Sequence, residues 1–277
     1  MRSTTLHAPL PPDIRLMNGV SALLVLGVLL AALGLGLQWL VRQPVFAIRS
    51  ITVEGDVNRN SAASLRANAL PRMSGSFLSM NLQQTRAAFE AVPWVRHATV
   101  QRLWPARLQV TLEEHQPAAY WETKPEGADA ESDATVERLL VNDHGEVFQA
   151  NLGDVEDEDL PVLSGPDKSS AHMLALWRQL QAQTAHLEDS ISRLDLSGRG
   201  SWRATLEKGT VIELGRGTDA EVLARYTQYV SSITQVSARF HTAVLSADLR
   251  HVDGYAVRLR GISTSAATPA KPGAKKN

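Results

Sequence analysis

The sequence predicts an α+β protein that is anchored in a membrane by a single N-terminal helix. A long apolar run without charge predicts this helix, and a β-α-α-β-β pattern follows it within residues 46–115. A third region, residues 116–262, combines alternating strand patterns with helical patterns. This region predicts a mixed α/β domain with a largely antiparallel sheet.

Residues 16–41 form an unbroken run without a charged side chain, and the predicted transmembrane helix occupies residues 18–41. About 20 apolar residues in a helix cross a hydrocarbon core about 30 Å thick, so the run is long enough to span a bilayer. A cleaved signal peptide would have a shorter apolar stretch and a small-residue cleavage site. The run closes instead on Trp39 and Arg42, which is typical of a membrane interface. A retained anchor is therefore favoured over a signal peptide or a buried core helix, with residues 1–17 as a short tail.

Charge and cysteine content leave the orientation of this anchor open. Arg2 and Arg15 precede the apolar run, whereas Arg42 and Arg49 follow it, so the positive-inside rule does not decide. The absence of cysteine fits either side of the membrane.

The net charge of −1 argues against a nucleic-acid partner, because proteins that bind nucleic acids carry a strongly basic surface.

The first module is predicted from hydrophobic periodicity and helix stop signals. Asn81 is a helix N-cap and Pro93 ends the same helix, while residues 108–113 alternate between apolar and polar side chains. The predicted elements are a strand at residues 46–53, a helix at 61–70, a helix between Asn81 and Pro93, and strands at 95–103 and 108–113.

The second domain begins with an acidic stretch, from Glu122 to Asp159, that predicts solvated loops at residues 126–133 and 156–159. Thr218 and Glu221 form a capping box before a long helix, and another helix begins at Ser169 or Ser170. Residues 263–277 lack apolar periodicity and are predicted to be a disordered tail. Strands are predicted at residues 138–141, 146–148, 191–196, 202–207, 210–214, 244–249 and 255–259.

Motifs that would indicate catalysis are missing from the sequence. The histidines are scattered, without an H-E-x-x-H pair, and no Gly-x-Ser-x-Gly elbow occurs. The glycines on either side of Arg199 and of Arg216 lie in predicted turns, where glycine most often serves backbone geometry. We therefore predict no enzyme, no cofactor, no metal and no small-molecule substrate, although a site assembled from distant residues stays an open alternative.

The last predicted strand, residues 255–259, is a candidate binding edge. The final strand of a sheet exposes backbone groups that a partner strand can complete. Arg250, Arg258 and Arg260 would favour an acidic partner. The alternative is a solvated edge on which the arginines prevent aggregation, and residue patterns alone weigh the two equally.

Several short motifs resemble one family. They are Val92-Pro93-Trp94-Val95-Arg96, Trp104-Pro105, the strand at residues 108–113, Gln116-Pro117-Ala118, and the segments at residues 142–148 and 160–166. In combination they resemble the FtsQ/DivIB family of bacterial divisome proteins, whose first module is a POTRA domain. The resemblance implies a POTRA domain at residues 46–115 and a family β domain at residues 116–262. It also implies a cytoplasmic N-terminus, an inner-membrane span and a periplasmic body concentrated at the division septum.

The resemblance further implies a non-enzymatic scaffold that binds FtsB and FtsL and links early and late division proteins. The implied FtsB edge differs from the usual family pattern at His251, where tyrosine is common, and at Leu259, where some members have tryptophan. Arg199 is implied to pair with an acidic residue of the partner, and the POTRA strand with Ile51 and Val53 to contact FtsK or other divisome proteins. The implied edge residues are Arg250, His251, Asp253, Gly254, Tyr255, Val257 and Leu259.

Two alternatives from other classes are open. One is a POTRA protein of an envelope transport or assembly system, but too little chain follows the module to form a β-barrel. The other is a membrane-tethered cell-wall enzyme or sensor, which would act on peptidoglycan.

Overall fold

The computed structural model describes residues 12–41, 47–123, 138–251 and 254–261. The chain divides into two compact units, Met1–Glu114 and His115–Asn277. The predicted acidic loop at residues 126–133, the predicted tail at 263–277 and the site residue Asp253 lie outside the described residues.

Helix α1, Pro12–Val41, contains the apolar run. Within it, Leu16–Trp39 is the one segment of the described residues that is long and apolar enough to cross a membrane. At 1.5 Å per residue this segment is about 36 Å long, which exceeds a hydrocarbon core of about 30 Å. The leucine and valine side chains along it are exposed, with no protein packed around them. The prediction of an N-terminal candidate transmembrane helix is therefore confirmed.

The first unit continues with a β-α-α-β-β module. Its elements are β1 (Ser50–Gly55), α2 (Ala62–Ala69), α3 (Leu82–Glu90), β2 (Val95–Leu103) and β3 (Arg107–Glu114). The Ser61 side chain caps α2 by accepting a hydrogen bond from Ser64 N at 3.0 Å, and Asn81 caps α3 in the same way. The sheet order is β1-β3-β2, with β1 parallel and β2 antiparallel to β3. Strand β1 starts later than the predicted residue 46, because its pairing begins where Ser50 lies opposite Arg107.

The helices cover one face of this small sheet and form its core. Half-buried Ile51 and Val53 of β1 pack against this core from the edge of the sheet. The buried core residues are Leu65, Ala69, Phe89, Val92, Val95, Ala98, Val110 and Leu112.

The second unit is built on a nine-stranded sheet with the order β12-β11-β10-β9-β8-β7-β4-β5-β6. Most neighbouring strands are antiparallel, as predicted, but β4–β7, β7–β8 and β10–β11 are parallel pairs. The strands are β4 (Pro117–Thr123), β5 (Arg138–Asn142), β6 (Val147–Phe148), β7 (Val162–Gly165), β8 (Ile191–Leu196), β9 (Trp202–Leu206), β10 (Val211–Gly215), β11 (Val244–Asp248) and β12 (Ala256–Leu259).

Two helices pack on one face of this sheet, α4 (Ser170–Thr184) and α5 (Asp219–Phe240). The predicted capping box is present at the start of α5, where Thr218 and Glu221 each bind the backbone of the other. The helices bury Met173, Leu174, Leu176, Leu180, Val222, Tyr226, Tyr229, Val230 and Ile233 in the core of the unit.

Glu122, the first residue of the acidic stretch, lies outside the two predicted loops. It belongs to strand β4 and is 7% exposed. Its carboxylate accepts hydrogen bonds from Arg193 at 2.7 Å and from Arg138 at 3.0 Å. Two arginines that are distant in the sequence therefore compensate the buried charge of Glu122.

Candidate partner-binding edge

Strand β12 closes one end of the nine-stranded sheet. Within the described part of the chain it has one neighbouring strand, β11, which it meets in antiparallel register from Val244↔Leu259 to Asp248↔Ala256. Such an end strand presents backbone donors and acceptors on its outer side. The structure thus places the predicted strand of the candidate edge at the end of a sheet.

The backbone direction of β12 follows from one hydrogen bond. Arg260 N donates to Ala243 O at 2.9 Å, so this N–H points towards the β11 side. Successive residues of an extended strand point their backbone groups to opposite sides. The N–H groups of Val257 and Leu259 therefore point away from β11, towards the open side of the strand.

The side chains of this segment are used mainly within the unit. Leu259 is buried and Val257 is half-buried against the core under α5. The Tyr255 hydroxyl lies 2.6 Å from Ser232 Oγ, and its ring packs edge-on against Tyr229 with 5.4 Å between centroids. Exposed side chains in β12 belong to Ala256 and Arg258, on the opposite face. A partner at this edge would therefore contact mainly the backbone of β12 and not the apolar side chains that the sequence predicted as the binding surface.

The segment after β11 carries an exposed ion pair. Arg250 donates to Asp248 from Nε at 2.8 Å and from Nη2 at 2.5 Å. These hydrogen bonds, together with that from the Arg250 backbone, lower the pKa of Asp248 to about 2, and the same pair raises the pKa of Arg250. His251 is exposed, and a Cβ added to half-buried Gly254 would meet no atom within 4 Å.

Arg199 lies exposed in the turn between β8 and β9, which is held by Ser197 N donating to Ser201 O at 2.9 Å. Trp202, directly after this turn, pairs with Gly215 at the end of β10. A Cβ on Gly215 would come within 2.9 Å of Arg250 Cγ. Arg199 and Arg250 therefore lie at the same end of the sheet.

The second predicted contact region is β1 of the first unit. Ile51 and Val53 line a groove of about 890 Å³ between this edge strand and the helices, together with Leu65, Met73 and Phe89. The two residues face the interior of the module, so the open side of β1, like that of β12, consists of backbone.

Sequence reasoning missed the side chains that hold the edge in place. Asp248 holds the Arg250 side chain in place. The sequence signal for this pair is that the two residues are only two positions apart, which lets the arginine fold back onto the carboxylate. No local signal pointed to Ser232, which contacts Tyr255 from another element. Among the described residues, no group of three or more histidine or acidic side chains is arranged to hold a metal ion.

An apolar N-terminal helix long enough to span a membrane, a β-α-α-β-β module and a mixed sheet with an open end define a class of two-module proteins. Comparison with family models specifies this class. The model of the POTRA domain, FtsQ-type, matches residues 46–115, and that of the cell division protein FtsQ/DivIB, C-terminal, matches residues 132–250.

Relatives match over nearly the whole chain. The cell division protein FtsQ of Thiomonas arsenitoxydans is 38% identical, over 97% of this chain and 98% of its own length. The FtsQ proteins of Burkholderia pseudomallei and Bordetella pertussis are 34% and 31% identical, over 90% and 94% of this chain and 94% and 96% of their own lengths. The chain belongs to the FtsQ family of bacterial cell division proteins. The resemblance seen in the sequence is confirmed, and with it a role in cell division.

Proposed function

We propose that this protein is a non-enzymatic scaffold that binds FtsB, accompanied by FtsL, by adding a partner strand to β12. One observation carries the proposal: β12 ends the nine-stranded sheet with the N–H groups of Val257 and Leu259 directed outwards. Strand addition draws its affinity from backbone hydrogen bonds, which such an edge can supply without rearrangement. The scaffold thereby links early and late division proteins at the septum.

Charge around this edge supports an acidic partner segment. Arg258 and Arg260 are exposed beside the edge, and Arg250 and Arg199 are exposed at the end of the sheet where β12 begins. Charges outside the buried centre of an interface steer association and fix register more than they add affinity. We therefore propose that Arg250 and Arg199 orient the partner. His251, Gly254 and Tyr255 form the segment that leads into β12 and would contact the end of the partner strand. Asp253, predicted from the resemblance, stays part of the proposal without a structural account.

The proposal also covers the membrane and the first module. We place residues 18–41 in the inner membrane, residues 1–17 in the cytoplasm and the two units that follow the span in the periplasm. The single apolar helix and the FtsQ relatives support this arrangement. The edge strand with Ile51 and Val53 is proposed to contact FtsK or another divisome protein, again through its backbone.

A matched pair of substitutions at Val257 tests the β12 edge. Val257→Ala and Val257→Pro both remove core packing, but the proline also removes the outward N–H. The full chain in detergent is titrated with a purified periplasmic FtsB–FtsL fragment. We expect the alanine variant to bind with nearly unchanged affinity and the proline variant to lose binding. Circular dichroism and the melting temperature of each variant establish that both are folded, and equal affinities in folded variants would contradict strand addition.

A further inference from the structure

The tip of the β2–β3 hairpin carries an unusually exposed aromatic side chain. Trp104 is 83% exposed and the neighbouring Leu103 is 38% exposed. Pro105 between the strands is exposed as well, whereas Trp94 of the same module is 3% exposed. Leu103, Trp104 and Pro105 thus form one contiguous exposed apolar patch, which makes the tip a candidate for contact with something outside the folded module.

The fold places this tip beside the start of β1, the first strand after helix α1. Strand β1 starts at Ser50, which pairs with Arg107 directly after the hairpin turn. Just before it, Arg49 N donates to Ala106 O at 2.9 Å. The hairpin tip and the start of β1 therefore share one end of the small sheet.

Chain length confines that end to the neighbourhood of the bilayer. Helix α1 ends at Val41, and an extended chain advances at most about 3.5 Å per residue, so Arg49 lies within about 28 Å of the helix end. Because Ala106 is hydrogen-bonded to Arg49, the same limit applies to it within a few ångströms. The candidate span closes at Trp39, which itself lies at interface depth if α1 crosses the membrane.

The charge around the tip suits an anionic lipid surface. Arg49 and Arg107 are exposed on either side of the Arg49–Ala106 hydrogen bond. Arg102 is held by the module itself, since it donates to Phe77 O and Met80 O. The sequence from residue 101 to residue 109 contains no acidic side chain. Tryptophan flanked by arginine is the composition that lipid headgroups favour at a membrane surface.

We propose that Trp104 and Leu103 insert into the headgroup region of the bilayer that α1 spans, as a second, non-covalent contact of the first module with the membrane. The covalent link limits how far the module can move from the bilayer, and the hairpin contact limits how it can turn. The occupant is the lipid surface, because the tether brings it within reach and the arginines complement anionic headgroups. The inference rests on α1 crossing the membrane and is independent of the partner proposed for β12.

The absence of cysteine allows a site-specific test on the full chain. Leu103→Cys keeps Trp104 and takes a nitrobenzoxadiazole label, while Thr99→Cys, exposed on β2 about 13 Å along the same strand, is the matched control. Each labelled protein is reconstituted into phosphatidylethanolamine–phosphatidylglycerol vesicles with or without brominated acyl chains. We expect brominated lipid to reduce emission from position 103 and to leave position 99 nearly unaffected. Equal quenching at both positions, or none at either, would overturn the proposal.

A second set of variants distinguishes a lipid contact of the hairpin tip from a protein contact. Adding Trp104→Ser to the Leu103→Cys protein should weaken the quenching, because the serine lacks the interfacial preference of tryptophan. A blue-shifted label at position 103 that brominated lipid does not quench would indicate a protein contact and overturn the proposal. Replacing phosphatidylglycerol by phosphatidylcholine should reduce the quenching, and Arg49→Gln with Arg107→Gln should remove this lipid dependence. Alkaline extraction of the vesicles reports separately whether α1 is inserted.

Discussion

Two groups of acidic and arginine side chains lie in the same row of the nine-stranded sheet, towards opposite ends of it. Near β5, Glu122 is 7% exposed and accepts hydrogen bonds from Arg193 and Arg138. Near β12, Asp248 pairs with Arg250, whose side chain is 60% exposed. The strand register joins the groups through Asp248↔Glu213, Glu213↔Arg203, Arg203↔Asp195, Asp195↔Ser164 and Ser164↔Glu122.

Burial separates the roles of these two groups. Burial by itself would raise the pKa of Glu122, but hydrogen bonds from Arg193 and Arg138 and their positive charges hold it below its usual range. A charge so enclosed is costly once its partners are removed. Water competes for the Asp248–Arg250 pair, so that pair contributes little to stability. An acidic group of a partner can replace Asp248 as the acceptor of Arg250 at low cost, which suits the β12 end to recognition.

The largest expected effect comes from removing Glu122. Glu122→Ala leaves Arg138 and Arg193 without their shared acceptor, although Arg193 keeps Asp195 at 3.1 Å. We expect the free energy of unfolding of the second unit to fall by about 3 kcal/mol. Asp248→Ala, the matched change at the exposed end, should cost at most about 1 kcal/mol. Urea titration of the full chain in detergent, followed by tryptophan fluorescence, measures both, and similar losses would break the contrast between the groups.

A smaller effect is expected for two tyrosine hydroxyls that make the same kind of contact. The Tyr226 hydroxyl lies 2.6 Å from Thr184 Oγ1 in the core, where burial raises its pKa to about 12. The Tyr255 hydroxyl lies at the same distance from Ser232, but at the edge of the unit. We expect Tyr226→Phe to destabilise the unit by about 1 kcal/mol and Tyr255→Phe by about half as much. The same unfolding titration tests this, and a larger loss for Tyr255→Phe would mean that the edge is as tightly packed as the core.

The sequence predicted those elements whose apolar residues follow a clear helix or strand period. Helices and strands with a clear apolar stripe were predicted, among them α5 with its capping box and the alternating strand β3. Strands β4 and β7 were not predicted. Strand β7 is buried on both faces, so its sequence does not alternate between apolar and polar residues. The position of β12 at the end of the sheet depends on strand order, which local patterns do not contain.

The candidate site shows the same limit more sharply. The sequence motifs place Arg250 and the strand after Gly254 in one segment, and the structure brings both to the open end of the sheet. The sequence did not show that Tyr255 and Val257 pack against the core or that Leu259 is buried, because the face that a strand buries depends on which side the helices cover. The ion pair between Glu122 and Arg193 joins residues 71 positions apart, a distance at which spacing carries no signal.

The smallest expected effect is a difference in how acid changes the melting temperature of variants at Glu122 and at Asp248. The pKa of Glu122 is lowered by its arginine partners, and the pKa of Asp248 is lowered to about 2. Unfolded carboxyls have pKa values of roughly 4. Both carboxylates therefore stabilise the fold above about pH 4, and this contribution is lost as the pH falls from there towards their folded pKa values. Melting temperatures between pH 7 and pH 2 should fall less steeply for Glu122→Gln than for the wild type, whereas Asp248→Asn should barely change the curve, because solvent screens its pair. If Asp248→Asn flattened the curve as much as Glu122→Gln, the β12 pair would be part of the structural framework rather than a group free to exchange partners.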